Sequence, residues 1–241
     1  MSQIRAHAIS YEVDGQVFEG QLVYDPNVED PRPALLMVPN WFGITDSAID
    51  TARQVAEERR VVLVVDLYGA GVRPADANEA GAAMAPLKAD RQLLRRRMVA
   101  ALQALREQHA VNIDPARQAA FGFCFGGTCA LELARAGADL KAFVSFHGAL
   151  DTPDPADAKR IKGAVLVLDG ASDPLVPREQ LPAFAAEMSA AGVDWQLLSY
   201  GGAVHSFTDP DAKRPGVAEY NPRVARRAFA AMDALLDEVF T

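Results

Sequence analysis

A chain of 241 residues, half of them hydrophobic and 23% charged, can bury a large core as one α/β domain over 1–241 and need not be disordered. Its formal net charge of −8 leaves no general basic surplus for a nucleic acid or an anionic membrane. No apolar run approaches the roughly 20 residues that cross a bilayer, and the opening MSQIRAHAISYEVDG lacks the apolar centre of a secretory signal. The expected location is cytoplasmic.

Residues 4–13 and 17–24 alternate in polarity around Asp14-Gly15, which predicts a hairpin. Six short apolar runs follow: ALLMVP (34–39), VVLVV (61–65), QAAFGF (118–123), KAFVSF (141–146), AVLVLD (164–169) and WQLLSY (195–200). Runs of this kind suit strands buried on both faces of a mostly parallel sheet. Helical periodicity fills the gaps at 47–59, 90–108, 128–136, 178–191 and 222–240. Strand and helix alternate through short connections, which predicts an α/β sheet with helices on both sides. The stretch 69–88, rich in Gly, Ala, Pro and Asp, reads as a loop or short-helix excursion, either part of a lid or a surface connection.

The most informative segment is AAFGFCFGG (119–127), in which a buried strand runs through Gly-x-Cys-x-Gly-Gly into an Ala/Leu-rich helix. This is the setting of a nucleophile elbow, with Cys124 where serine usually stands. Gly122 and Gly126 remove side chains that would collide across a sharp turn. The helix that follows turns its amide-rich positive end toward the sulfur and favours the thiolate. The alternative is an inert core cysteine with glycines that serve close packing, and that reading suits the second cysteine, Cys129. Five positions apart on a helix, the two do not face each other, and no zinc-ligand spacing occurs, so no metal is expected.

A cysteine nucleophile needs a histidine as base and a third group to orient it. Downstream of Cys124, GASDPLVP (170–177) and GGAVHSF (201–207) each follow a buried strand, at the strand ends where open α/β sheets form their sites. His7 and His109 read as surface residues. His147 in SFHG (145–148) rivals His205 because it also ends a buried strand, and Asp169 rivals Asp173 as the acid. Chain order and the loop setting favour His205 and Asp173.

At these residues the chain resembles the dienelactone hydrolase family of α/β-hydrolases. The likeness is sharpest at GFCFGG (122–127), DGASDPLVP (169–177), HSF (205–207), DLYG (66–69) and VPNWFG (38–43). The resemblance implies Cys124 as nucleophile, His205 as general base and then acid, Asp173 as orienter, and the N–H groups of Phe125 and Trp41 as oxyanion hole. Three departures bear on the substrate. Asn40 stands where the family commonly has a glutamate that interacts with the thiol. Asp209 stands four residues after His205, where enzymes of carboxylated lactones have arginine. No arginine lies between Arg73 and Arg91. The arginines at 91, 95, 96 and 97 read as the solvated face of a helix.

Asn40, Phe42, Phe207 and His147 are the expected pocket residues, and Trp41, Phe42, Phe123, Phe125 and Phe207 together suggest an apolar pocket. The expected activity is hydrolysis of small neutral activated esters or lactones, with phosphotriesters as a side activity. No cofactor is expected. The expected partner is a small-molecule ester or lactone, with no nucleic acid and no membrane, in a monomer or small homo-oligomer. The competing readings are a dienelactone hydrolase that grips a carboxylate with Arg73 or Lys88, a non-catalytic binding protein on the same fold, and a redox sensor at Cys124.

Overall fold

The computed structural model describes residues 4–57 and 59–241. Contacts divide the chain into two compact units, the first ending at Ala120 and the second running from Phe121 to Thr241. In the first, β1 (Arg5–Val13) and β2 (Gln16–Tyr24) form the expected hairpin, paired from Arg5↔Tyr24 to Val13↔Gln16. Asp14 and Gly15 both take positive φ, 53° and 79°, the turn whose twist matches the flanking strands. β3 (Arg32–Val38) pairs in parallel with β4 (Val61–Val64), and β2 joins β4 antiparallel, giving the order β1-β2-β4-β3 and then β5 (Ile113–Phe123).

Helix α1 (Asp46–Ala56) is capped by Thr45, whose hydroxyl accepts the Ala48 N–H at 3.2 Å. Its expected end at 59 was too late, and residue 58 lies outside the described residues. The excursion at 69–88 contains a full helix, α2 (Ala77–Ala89). Asp76 starts it by accepting the N–H groups of Asn78 and Glu79 at 2.8 and 2.9 Å, and Glu79 reaches back to the Ala75 N–H at 2.9 Å. In α3 (Arg91–Glu107) the expectation of a solvated arginine face holds for Arg96, which is exposed, and fails for the other three. Arg91 and Arg95 are only 9% and 4% exposed, and Arg97 donates to the Leu67 carbonyl at 2.6 Å with its guanidinium over the Phe18 ring. Burial of the long side chains and the Leu67 contact explain why charge in the sequence did not mean exposure.

The second unit continues from the end of β5 through α4 (Phe125–Arg135), β6 (Ala142–Phe146), a 3₁₀ turn (Pro155–Arg160), β7 (Ala164–Gly170), α5 (Gln180–Ala191) and β8 (Trp195–Tyr200). β6, β7 and β8 are parallel neighbours, so the sheet strands are mostly parallel with an antiparallel start, as expected. β8 departs from the expectation of burial on both faces. As the terminal strand it sends Trp195 and Leu197 toward a cluster of Leu131, Val165, Val167, Phe184 and Met188, while Leu198 is 39% exposed. A two-residue hairpin, β9 (Lys213–Arg214) and β10 (Ala218–Glu219), precedes α6 (Pro222–Val239).

The last residue of α4, Arg135, is fully buried. Its guanidinium meets both carboxylate oxygens of Glu187 in α5 at 2.8 Å, Glu132 at 3.1 Å and the Leu150 carbonyl at 3.1 Å. A planar fork satisfied on several sides fixes the direction of the helix behind the elbow. Among the described residues, no helix is long and apolar enough to cross a membrane. None of their His, Cys, Asp and Glu side chains group in threes to hold a metal ion.

Candidate active site

β5 ends at Phe123 and the chain turns at Cys124, with φ 54° and ψ −120°, directly into α4. A non-glycine residue at positive φ is strained and persists only where its surroundings hold it. Here the Cys124 N–H lies 2.9 Å from the Phe146 carbonyl and 3.1 Å from His147 Nδ1, and its carbonyl accepts from Gly127 at 3.0 Å. A Cβ at Gly122 would collide with the backbone of Gly126 and Gly127, so the turn closes only around glycine there. The thiol caps no N–H of α4. Cys124 is half-buried and Cys129 buried, and neither is in a disulfide.

The loops after β7 and β8 are stitched together by Ser172 N–H to Ala203 O at 2.9 Å and Ala171 N–H to Tyr200 O at 3.0 Å. That stitching brings Asp173 to His205, whose Nδ1–H donates to Asp173 Oδ2 at 2.7 Å. The other carboxylate oxygen accepts the Leu175 N–H at 2.7 Å, so Asp173 is held from two sides. Asp169 goes elsewhere: Arg178 grips both of its oxygens at 2.9 and 3.0 Å, and Ser199 donates to it as well. Sequence reasoning missed Arg178. The β9–β10 hairpin braces His205 by its backbone, with His205 N–H to Val217 O at 3.2 Å and Glu219 N–H to His205 O at 3.0 Å.

His205 Nε2 is buried and has no well-aligned hydrogen-bond partner among the described residues. The Cys124 sulfur is nevertheless near enough to act on it. Burial, the largest single influence, pulls the imidazole pKa down, but hydrogen bonding to Asp173 and Cys124 and attraction to both raise it to about 10.

His147 is 2% exposed, and both of its ring nitrogens are engaged, Nδ1 with the Cys124 N–H and Nε2 with Thr208 Oγ1 at 2.8 Å. Phe207 is fully buried, its ring centroid 5.0 Å from that of His147. In the first unit, Asn40 Oδ1 accepts the Phe42 N–H at 3.0 Å, and the Trp41 carbonyl accepts the Tyr68 hydroxyl at 2.8 Å. Arg73 is tied to Asp66 and to the carbonyls of Gly69, Val72 and Glu19. Lys88 is exposed on α2.

The sequence profile of the dienelactone hydrolase family matches residues 18–240. The chain belongs to that family. A solved dienelactone hydrolase-like promiscuous phosphotriesterase from metagenomic libraries superposes with a TM-score of 0.91 at 38% identity, covering 98% of each chain. A second solved protein, m3DLH, gives a TM-score of 0.93 at 42% identity over 99% of each chain. A Bradyrhizobium relative named as a probable 2-oxo-3-(5-oxofuran-2-ylidene)propanoate lactonase is 29% identical, covering 83% of this chain and 85% of its own length. This dienelactone hydrolase-family chain therefore has the α/β-hydrolase fold and the general hydrolase character of its relatives.

Proposed function

We propose that the protein hydrolyses small, neutral, activated esters and lactones, aryl esters foremost, through an acyl-cysteine on Cys124. The observation that carries this reading is the 2.7 Å bond from His205 to Asp173, with Nε2 of the same ring left without a well-aligned partner and under the influence of the Cys124 sulfur. In this reading Cys124 attacks as the thiolate, with its proton carried on His205. The Cys124 sulfur adds to the substrate carbonyl carbon. The carbonyl electron pair moves onto oxygen, where the Phe125 N–H, first in α4 and without an intrahelical acceptor, donates to it. Collapse expels the alkoxide or phenoxide, which takes the Nε2 proton of His205. Water then attacks the thioester, His205 accepts its proton, and the carboxylic acid and the Cys124–His205 pair are regenerated.

Neutrality of the substrate rests on Asp209, four residues past His205, and on Arg73, whose donors already serve Asp66 and three carbonyls. Two free thiols suit the reducing cytoplasm. A second reading, slow cleavage of aryl phosphotriesters, draws on the phosphotriesterase relative at 38% identity, because the same Phe125 N–H suits a phosphoryl oxygen. Intact-mass analysis during turnover of 4-nitrophenyl acetate is the test, with an acetyl adduct expected in the wild type and none in Cys124→Ala. Full ester turnover by Cys124→Ala sinks the mechanism. Preference for a carboxylated lactone over the aryl ester sinks the substrate assignment.

A further inference from the structure

We propose that His147 is a positioning residue: its imidazole, in one fixed tautomer, joins the backbone N–H of Cys124 to Thr208 on the His205 loop and holds nucleophile and base in register. The inference rests on the reading of Cys124 and His205 given above. The Cys124 N–H is shared between the Phe146 carbonyl at 2.9 Å and Nδ1 at 3.1 Å, so Nδ1 must present a lone pair. The ring proton then sits on Nε2 and is donated to Thr208 Oγ1 at 2.8 Å. Thr208 lies three residues beyond His205, so this one ring spans from the elbow to the loop of the base.

The ring is fixed on its other sides as well. Its centroid is 5.1 Å from that of His205, 5.0 Å from Phe207 and 6.2 Å from Phe123. Its backbone has φ 42°, the second strained residue at a strand end beside Cys124, and its N–H is tied to the Leu168 carbonyl at 2.8 Å. A protonated ring would set an Nδ1–H against the Cys124 N–H and a second cation against the His205 imidazolium. Burial first, and then His205, hold its pKa well below the usual histidine value, so the ring is neutral, and the Cys124 N–H at Nδ1 selects the tautomer. The titratable groups facing it are His205 and Cys124; Thr208, Phe207 and Phe123 carry no charge.

Three variants separate the two ends of the link. His147→Phe removes both bonds. His147→Asn puts Oδ1 where Nδ1 stood and loses only the Thr208 end. Thr208→Val loses that same end with the ring in place. Two readouts are needed: kcat and KM on 4-nitrophenyl acetate, and the pH profile of Cys124 alkylation by iodoacetamide. Misplacement of reacting groups by about 1 Å can cost about 10²-fold, so His147→Phe is expected to lower kcat about 10²-fold with KM within about threefold. Its alkylation profile should differ from that of the wild type. His147→Asn and Thr208→Val should both fall between it and the wild type. An unchanged alkylation profile in His147→Phe overturns the proposal, as does an equal loss in Phe and Asn variants. If His147→Phe does not fold, Thr208→Val decides alone, a shifted profile supporting the link and an unchanged one overturning it. Absence of ester turnover in the wild type would instead defeat the functional reading, while the alkylation profiles still judge the role of His147.

Discussion

Helix α4 has Arg135 at one end and Cys124 at the other, and each end gathers buried charge in a different way. Around Arg135, Glu187, Glu132 and the Leu150 carbonyl accept from the guanidinium at 2.8 to 3.1 Å. Around Cys124, the chain Asp173–His205 is equally short at 2.7 Å, but it ends on Nε2 without a well-aligned acceptor. The first cluster spends its donors on fixing the helix. The second turns one donor toward a sulfur without a well-aligned bond. Short bonds and deep burial therefore do not separate a structural cluster from a candidate reactive one; a loosely aligned donor beside the proposed nucleophile does.

Four measurements can break or sharpen that contrast. The largest effect is expected from Asp173→Asn, which should lower kcat about 10³- to 10⁴-fold by releasing the His205 tautomer, with a melting temperature close to wild type. Next, Arg135→Met should cost about 3–5 kcal/mol of stability in a urea titration by stranding buried carboxylates, while the protein that remains folded keeps kcat within about threefold. A large loss of kcat in folded Arg135→Met would erase the distinction between the two ends. A smaller effect concerns the alkaline limb. His205 is raised to about 10, so the stability its imidazolium contributes is fully present below about pH 6.5 and lost as pH rises toward about 10, whereas its proton for the leaving group is lost only near about pH 10. The kcat/KM profile should fall on that limb, and Asp173→Asn should move the fall to lower pH. The smallest effect is on the acid side. His147 is held neutral, so the unfolded chain binds the extra proton first and stability drops below about pH 6.5. Melting temperatures of His147→Asn between pH 7 and 5 should show a shallower drop than wild type.

The elements best read from sequence were those whose burial is written in their own residues. VVLVV and AVLVLD became the fully buried β4 and β7 because a strand covered on both faces needs uninterrupted apolar residues. Helix α2 was legible only as a loop or short-helix excursion because its Ala- and Gly-rich surface has a weak periodic stripe and carries Pro86; the pair Asp76 and Glu79 was the signal that could have fixed its start. The start of α4 was placed at 128 rather than Phe125 because Gly126 and Gly127 are poor helix formers on their own. Cys124, His205 and Asp173 stood out through glycine frames and chain order, and the structure brings the last two into contact. What could not be read were partners made of backbone. The link from His147 to the Cys124 N–H, and the Leu67 carbonyl that receives Arg97, are invisible until the chain is folded.

The hairpin of β9 and β10 grips His205 through both its N–H and its carbonyl, yet Lys213 and Arg214 on its outer strand are exposed. A single proteolytic nick between those two residues is expected to lower ester turnover with the melting temperature close to that of the uncut protein. The seven-residue ribbon 213–219 is therefore where susceptibility to trypsin and loss of the His205 brace meet.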